Sequence, residues 1–466
     1  PLVDGEGKKA LSIAIEELNN GKVKIMADDS AEETEEVVEE VAETVTNADN
    51  EEVTENTERE TVTEFLQAAT EPLTEMTTLP NVDNESFTRT QMSEDEIVIT
   101  ICPSDSIIAD FEKEYPEKDL LVSEHADVEY IRLETTDEVL LDGIASLYLS
   151  VTDRFIVTNN MKEGRIFVFD RQGKHLHNFM KKGNSGEEFV FAKVVRVDDK
   201  AEEIFVLDTR NKVLVYTLDG KFKRVLDIPK DMRADDLWNY DDEWLLSYDS
   251  YNLDIPNKEC SEQPFFLLSK KEGSVKRIDV NAKDRIGPRI YFEQNGQKGV
   301  MSVSFNYIYK NGDEFVLSEL GNDTVFMLKQ GKVSPLLVRT PGSKAKEVRS
   351  MMAAPLKLGD YIGVAEAPKK LDLENTKFAT KDVFLNLKTG EGCILGLKDD
   401  VNFVEPTGIR HSNERVEAPK NHILWMPDTD RLFQWKEEGK LKGKLAEMLE
   451  GMSEDDNPIL IIYKFH

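Results

Sequence analysis

Paired carboxylates are the residues of this sequence whose type and spacing could most directly do chemistry. Five pairs fall mostly between apolar runs of the chain, namely Asp198-Asp199, Asp235-Asp236, Asp241-Asp242, Asp399-Asp400 and Asp455-Asp456. Two neighbouring carboxylates can bind calcium through their oxygen atoms, or they can act as a general acid and a general base. Because the chain has 91 acidic residues against 58 basic ones, chance juxtaposition also produces such pairs. The pairs alone therefore do not define a catalytic site.

Histidine and cysteine could supply metal ligands or nucleophiles, but their spacing supports neither role strongly. His175 and His177 are two residues apart and would share one face of a strand. The sequence offers no recognisable third ligand, so an exposed pair on a polar strand face is the simpler interpretation. Cys102, Cys260 and Cys393 are isolated, and their spacing fits neither a zinc site nor a disulfide framework. A bridge from Cys260 to either of the other two thiols remains open.

Aromatic residues are concentrated in one short stretch, which contains Trp238, Tyr240, Trp244, Tyr248 and Tyr251. They have two interpretations. They pack one repeat of the fold against the next, or they form a platform for a sugar ring or a peptide. A long segment, residues 250–264, follows them, and loops of that length often carry function. We therefore retain the five aromatic residues as candidate ligand-binding residues.

The elements that must position these residues form a strand-rich unit that repeats along the chain. Each copy has two β-branched or aromatic runs, a turn between them and a glycine hairpin after them. The two clearest copies comprise residues 154–158 and 165–170 with Gly173, and residues 203–208 and 212–216 with Gly220. These two glycines are 47 residues apart, and weaker copies follow as far as residue 435. A period in this range predicts a propeller or a solenoid, and the copies number six.

A propeller must also close, so that its first and last sheets are covered. Residues 458–464 form an apolar strand at the end of the sequence, and residues 127–133 form a strand before the first repeat. We predict that these two strands share one blade and join the ends of the ring. The alternative is a β-sandwich with a Greek-key core, which rarely repeats at this period.

Four segments carry a resemblance to a known family: residues 131–136 (IRLETT), 182–189 (KGNSGEEF), 321–326 (GNDTVF) and 457–463 (NPILIIY). They resemble the six-bladed β-propeller family of Gram-negative gut bacteria, which is similar in architecture to NHL-repeat propellers. The resemblance covers residues 96–466 and implies an all-β, six-bladed propeller over residues 128–466. It also implies partner binding more than catalysis, and export to the periplasm or the cell surface, often as a lipoprotein.

The N-terminal part of the chain differs from the repeats. Residues 1–26 resemble the C-terminal end of a bacterial RNA polymerase omega subunit and predict a short helical fragment. Residues 27–95 predict a disordered acidic linker, because residues 28–58 contain 14 acidic residues and no basic one. In the segment 96–127, we expect a strand over residues 96–101 and a short helix over residues 106–115.

Charge and missing motifs exclude several classes of function. The net charge of −33 argues against nucleic acid as a partner, because phosphate binding needs clustered lysine and arginine. No apolar run approaches the roughly 20 residues of a membrane helix. The sequence also lacks a nucleophile elbow, a zinc-protease motif, a phosphate loop and an EF-hand. Neither a signal peptide nor a lipobox is visible, so export rests on the resemblance alone.

From these observations we expect a non-enzymatic binding propeller of the cell envelope. It would engage a protein, peptide or glycan through its loop face or its central channel, as a monomer. The alternative is a propeller enzyme, either a lactonase-like hydrolase or a lyase, with a metal in the channel. Calcium is the metal we would expect there. A third hypothesis is a scaffold whose acidic tail acts as the functional tether.

Overall fold

The chain folds into six β-sheets arranged as blades around a central channel, which confirms the predicted six-bladed β-propeller. The structure is a computed structural model, and it describes residues 22–27, 107–141, 149–160, 162–253, 255, 258–294, 297–303, 305–371, 380–409 and 416–466. The predicted helical fragment and acidic linker lie outside the described residues, except for a strand at Lys22–Ala27. The strand expected over residues 96–101 also lies outside them.

The first three blades are four-stranded antiparallel sheets in which the first strand is innermost. Blade one contains the strands Ser150–Val151, Phe155–Asn160, Arg165–Asp170 and His175–Met180. Blade two contains Ala192–Asp198, Glu203–Asp208, Lys212–Thr217 and Phe222–Asp227. Blade three contains Trp238–Asn239, Trp244–Tyr248, Phe265–Ser269 and Val275–Arg277.

Blades four and five follow the same plan and carry additional strands, whereas blade six has three strands among the described residues. Blade four contains Ile308–Asn311, Glu314–Leu317, Thr324–Lys329 and Lys332–Thr340. Blade five contains Ser350–Leu358, Tyr361–Pro368, Lys381–Asn386 and Gly392–Asp399, with the short strand Thr407–Gly408 at the end of the last. Blade six contains His422–Trp425, Ile459–Phe465 and Ala126–Arg132.

The middle strands are buried on both faces because a neighbouring blade covers each face. All six residues of Glu203–Asp208 are buried, as are all six of Phe155–Asn160. The hairpin glycines predicted from the repeat have the positive φ that such turns require, with +83° at Gly173 and +79° at Gly220. At Gly173 a Cβ would lie 2.2 Å from the carbonyl oxygen of Arg132. The turn of blade one therefore packs on blade six only with glycine at this position.

The two ends of the propeller join in blade six, as the sequence predicts. Ile459–Phe465 pairs antiparallel with Ala126–Arg132 over seven residues, from Ile459 opposite Arg132 to Phe465 opposite Ala126. The first five residues of the C-terminal strand are fully buried. The ring is thus closed by strands from opposite ends of the propeller.

The helix predicted over residues 106–115 was wrong. Ile107–Asp110 is a strand that pairs in parallel with the last strand of blade four. Tertiary pairing decides this segment, because Ala109 and Phe111 are buried at the edge of the sheet. A second strand, Glu117–Leu121, pairs in parallel with the last strand of blade five and is followed by the one-turn helix Val122–His125.

The two faces of the ring differ. Within each blade, one turn joins the first strand to the second and another joins the third strand to the fourth. We call the face of the ring that these turns form the short-turn face. The long-loop face carries the other connections. Its insertions are the loop 249–264, the hairpin of Arg289–Gln294 with Gln297–Val303, the helices Thr429–Glu437 and Gly443–Met448, and the 3-10 turns Ser343–Ala345 and Leu449–Gly451. Lys22–Ala27 pairs antiparallel with the hairpin strand Gln297–Val303. None of the described helices is both long and apolar enough to span a membrane.

Candidate functional site

The channel opens on the short-turn face into a cavity of about 330 Å³, which we call the channel cavity. Five of the six blades contribute to it. Its lining residues are Val151, Thr152, Asp153, Val197, Asp198, Asp199, Lys200, Asn239, Tyr240, Asp241, Asp242, Lys270, Lys310, Gly312, Glu417, Ala418 and Pro419. Most of them lie at the end of a first strand or in the turn after it. The cavity therefore exists only because the blades converge on one axis.

Glu417 is the central side chain of this cavity, and it is 3% exposed. Its carboxylate accepts hydrogen bonds from Lys310 Nζ (2.5 Å), from Ser150 Oγ (3.1 Å) and from Asn239 Nδ2 (3.2 Å). These donors lie on the innermost strands of blades four, one and three. The Glu417 backbone also pairs with blade one, since its carbonyl accepts from the Val151 amide at 2.8 Å. One carboxylate thus connects four blades.

Arg196 places a second positive charge near this carboxylate. The guanidinium is fully buried, with Nε 3.8 Å from Glu417 Oε2 and 2.7 Å from the Leu237 carbonyl oxygen, to which it donates. Its planar group also stacks on the Trp238 ring at 4.4 Å. Burial alone raises the pKa of Glu417, but the charges of Lys310 and Arg196 outweigh it and hold that pKa below its usual value. Glu417 is therefore ionised at neutral pH.

Ion pairs and hydrogen bonds between neighbouring turns form the rim of the channel cavity. Lys270 of blade three donates to Asp198 of blade two at 2.5 Å, and both side chains are buried. Asp199 accepts from Thr152 Oγ1 of blade one at 2.5 Å. Lys200 and Asp242 form an ion pair between blades two and three. These contacts fix the turns relative to one another.

The cavity carries more negative than positive charge. Six of its lining residues are carboxylates and three are lysines, so the formal charge of the lining is −3. Asp153, Asp199 and Asp241 form no ion pair with any of the residues that the structure describes. A ligand that presents a cationic group would compensate this charge.

The five aspartate pairs have different surroundings. Asp198-Asp199 and Asp241-Asp242 both line the channel cavity. Asp236 accepts from the Trp238 indole at 2.7 Å, and Asp399 accepts from the Tyr463 hydroxyl at 2.7 Å. Asp456 pairs with Arg132 at 2.8 Å. Two pairs thus belong to the candidate site, and the other three hold strands together.

The five candidate aromatic residues do not form one surface. Trp238 and Tyr248 are buried between blades, and Tyr248 stacks on Tyr307 with ring centroids 3.6 Å apart. Tyr240 is half-buried at the cavity, where its hydroxyl accepts from the Gly331 amide. Trp244 is half-buried below Lys276. Tyr251 is 37% exposed in the loop on the long-loop face. Their role in ligand binding stays a prediction.

The histidine and cysteine candidates lie away from the channel cavity. His175 and His177 are on the outer strand of blade one, and His175 contacts Phe169 and Asn178. Cys260 and Cys393 are free thiols, and Cys102 lies outside the described residues. Among the described residues, no three His, Cys, Asp or Glu side chains are grouped as metal ligands.

Calcium does not fit the centre of the channel. Calcium needs six to eight oxygen ligands, largely from carboxylates whose charge is available to the ion. Here the carboxylate at the centre, that of Glu417, already faces the positive charges of Lys310 and Arg196. A further cation at this point would be repelled.

Fold and site together define a six-bladed β-propeller with a polar cavity at one end of its channel. The chain belongs to the family described as a domain of unknown function, DUF4934, whose model matches residues 106–464. No curated protein is significantly similar to it. Its relation to NHL-repeat propellers, and that of residues 1–26 to the omega subunit, stay predictions.

Solved structures resemble the fold at low sequence identity. A protein of Bacteroides fragilis NCTC 9343, described as exported, superposes with a TM-score of 0.52 at 14% identity. The superposition covers 77% of this chain and 99% of that protein. A DUF4221 family member from Bacteroides vulgatus superposes with a TM-score of 0.41 at 10% identity, over 73% of this chain and 98% of that protein.

Proposed function

We propose that this chain is a non-enzymatic, monomeric binding propeller of the cell envelope. Its channel cavity holds a basic group presented by a protein or peptide partner. The observation that carries the proposal is the cavity itself, which is lined by five blades and has a formal charge of −3. Its volume of about 330 Å³ suits a side chain or a peptide terminus, and it lies within the range of small-molecule sites.

The arrangement of charges favours a basic group over a neutral one. Lys270 and Lys310 are already paired with Asp198 and Glu417, so they hold the rim and the centre in place. The carboxylates of Asp153 and Asp241 are exposed at the mouth. A lysine or arginine side chain that enters the cavity would exchange water for these carboxylates, and such charge-assisted hydrogen bonds are short and strong.

Long-range charge would bring such a partner to the site. Residues 107–466 contain 63 acidic and 52 basic residues, and the preceding residues are more acidic still. A field of one sign accelerates the association of an oppositely charged partner, and salt screens it. Envelope location is supported by the family resemblance and by the fold shared with the exported protein of Bacteroides fragilis.

A second contact surface follows from the exposed aromatic residue of the third repeat. Tyr251 and Ile255 both lie in the loop 249–264, and their exposed fractions are 37% and 47%. Exposed apolar side chains in a long loop are typical of protein interaction surfaces. Among the five candidate aromatic residues, Tyr251 is the one exposed in this loop, so we assign it to this surface.

Binding of short charged peptides tests the main proposal. Hexalysine and hexaglutamate are titrated into the full chain, and into a variant with Asp153→Asn and Asp241→Asn. We expect hexalysine to bind, and the double variant to raise its Kd about tenfold, which is about 1.4 kcal/mol. The control variant, Glu437→Gln with Glu447→Gln, removes the same charge from helices on the long-loop face. If both variants weaken binding equally, the cavity is not the site.

A further inference from the structure

A second cavity lies beside the channel cavity on the short-turn face, between blades two and three. Its volume is about 300 Å³, and we call it the interblade groove. The residues that line it are Ala201, Glu203, Arg224, Asp242, Lys270 and Lys271. Asp242 and Lys270 also line the channel cavity, so the two cavities share a wall. A single ligand can therefore contact both.

The interblade groove carries a charge opposite to that of the channel cavity. Three of its lining residues are basic and two are acidic, so the formal charge of the lining is +1, against −3 for the channel cavity. The ion pairs at the shared wall are balanced, since Lys270 pairs with Asp198 and Lys200 pairs with Asp242. The excess positive charge must therefore come from the other basic residues of the groove.

Glu203 is the other carboxylate that lines the groove, and two basic side chains of blade two contact it. Arg224 donates to both of its oxygen atoms, from Nη1 at 2.8 Å and from Nη2 at 2.6 Å, and Lys223 forms an ion pair with it. Burial raises the pKa of Glu203, but Arg224 and Lys223 outweigh it and hold that pKa below its usual value. One ionised carboxylate thus faces two cations, which leaves one positive charge in excess.

Arg224 keeps hydrogen-bond donors that a ligand can use. A guanidinium has five N–H groups. The Nε group donates to the Lys270 carbonyl oxygen at 2.8 Å, which ties blade two to blade three, and the two contacts with Glu203 use one N–H group each. The other two N–H groups have no acceptor among the residues that the structure describes. The side chain is partly exposed, so these groups are accessible from the groove.

Lys271 supplies the second positive charge. The residue is exposed in the turn between the third and fourth strands of blade three, and its ammonium forms no ion pair within the described part of the chain. Its acidic neighbours Glu243 and Glu272 are exposed and do not line the groove. The groove thus presents an ammonium and part of a guanidinium, and charge-assisted hydrogen bonds from such groups suit a carboxylate.

We propose that the interblade groove binds a carboxylate of the same partner whose basic group occupies the channel cavity. This inference rests on the proposed function and names its ligand more closely, as a peptide segment in which a basic side chain and a carboxylate are adjacent. The carboxylate belongs either to an acidic residue or to the C-terminus, since both present the same chemistry. A purely cationic segment would place positive charge beside Lys271 and Arg224, so a segment of mixed charge fits the short-turn face better.

Titration of the full chain with peptides that differ in one group tests this inference. Hexalysine is extended at its C-terminus by glutamate or by glutamine, and both peptides are amides. Glutamate lowers the net positive charge of the peptide, so attraction to the acidic chain alone would weaken its binding. We expect the glutamate peptide nevertheless to bind about threefold more tightly, a gain typical of an exposed ion pair. With Lys271→Gln, we expect this preference to be lost.

The control variant is Lys230→Gln, which removes the same charge from an exposed residue of the long-loop face and should keep the preference. Hexalysine with a free C-terminal carboxylate, compared with its amide, identifies the source of the carboxylate, and a gain with either source supports the groove. If neither carboxylate improves binding, or if the gain survives Lys271→Gln unchanged, the inference is overturned. Binding of hexalysine amide would then still support the proposed function, whereas failure of every peptide to bind would overturn both.

Cross-linking with a carbodiimide locates the two groups independently, since it joins carboxylates to amines in direct contact. The glutamate of the extended peptide should link to Lys271 or Lys223, and its lysines should link to Asp153 or Asp241 of the channel cavity. Links from the peptide glutamate to lysines outside the groove only would contradict this inference. Absence of links to Asp153 and Asp241 would instead contradict the proposed function.

Discussion

Lys310 of blade four and Glu417, which precedes the first described strand of blade six, form an ion pair of 2.5 Å at the centre of the propeller. The two residues are 107 positions apart in the chain. They meet because the innermost strands of all blades converge on one axis, where Arg196 and Ser150 contact the same carboxylate. The pair therefore depends on closure of the ring, and it forms part of the cavity that we assign to ligand binding.

Neutralising the central carboxylate should destabilise the whole propeller. Glu417→Gln keeps the size of the side chain but leaves the largely buried charge of Lys310 without its ion-pair partner, whereas Arg196 retains Asp236 at 3.6 Å. Removal of one partner from a buried ion pair costs about 3–5 kcal/mol, and we expect a loss of this size in the free energy of unfolding. Urea denaturation at neutral pH measures it.

The control for this variant is Asp153→Asn, which removes an exposed carboxylate from the mouth of the same cavity. Surface substitutions usually change stability by less than about 0.5 kcal/mol. If Glu417→Gln were no more destabilising than Asp153→Asn, the ion-pair network would not hold the blades together.

The stability of the propeller should fall in acid, and Glu417 should contribute to that fall. Its folded-state pKa is lowered, although burial opposes this, by Lys310 and Arg196. A carboxyl with a depressed folded pKa stabilises the fold above its unfolded pKa of roughly 4.3. This contribution is lost as the pH falls through the folded pKa.

Measurement of the free energy of unfolding from pH 7 to pH 3 checks this prediction. We expect little change due to Glu417 above about pH 5 and a decline below the unfolded pKa. Glu417→Gln should decline less steeply than the natural chain over the acid range. Parallel curves for the two proteins would show that Glu417 does not titrate as the ion pairs require.

The closing strand should be more sensitive to truncation than an exposed apolar position. Ile461 is fully buried in the last strand, between Ala126–Arg132 and His422–Trp425. Ile461→Ala removes three buried carbon atoms and should cost about 2–5 kcal/mol. Ile394, which is 40% exposed on the last strand of blade five, provides the matched control, Ile394→Ala. Thermal unfolding compares them, and similar losses of stability would contradict the described closure.

Sequence patterns predict the parts of this fold that repeat or alternate. The repeated unit with Gly173 and Gly220 indicates the blades, and the apolar strand over residues 458–464 indicates the closing partner of residues 127–133. These features are formed by residues that are neighbours in the sequence, so the sequence alone indicates them. The segment 106–115 was predicted wrongly because its state depends on the free edge of blade four, which lies more than 200 residues further along the chain.

The centre of the candidate site had no comparable signal. Glu417, Lys310 and Arg196 are single residues in unrelated local patterns, and only the closed ring brings them together. Two aspartate pairs of the rim were noted from the sequence, but nothing distinguished them from the other three. Arg196 and Lys310 both lie on the first strand of their blades. Aligning the first strands of all blades with one another would therefore have indicated that these two residues lie in the channel.

The aromatic residues of the third repeat should separate into packing and surface roles. Tyr248 is fully buried and stacked on Tyr307, so Tyr248→Ala should lower the free energy of unfolding by about 3–5 kcal/mol. Tyr251→Ala should change it by less than about 0.5 kcal/mol, while weakening the binding of a protein partner. Chemical denaturation and a binding titration of each variant check this, and loss of stability with Tyr251→Ala would place that ring in the core.

Location of a bound basic peptide tests the proposed function most directly. A hexalysine peptide with a photoreactive group is irradiated with the full chain, and mass spectrometry identifies the attached residues. We predict attachment in the turns that line the channel cavity, at residues 151–153, 197–200 and 239–242, and its loss with the variant Asp153→Asn and Asp241→Asn. Attachment confined to the long-loop face, or to the acidic residues 28–95, would contradict binding at the channel.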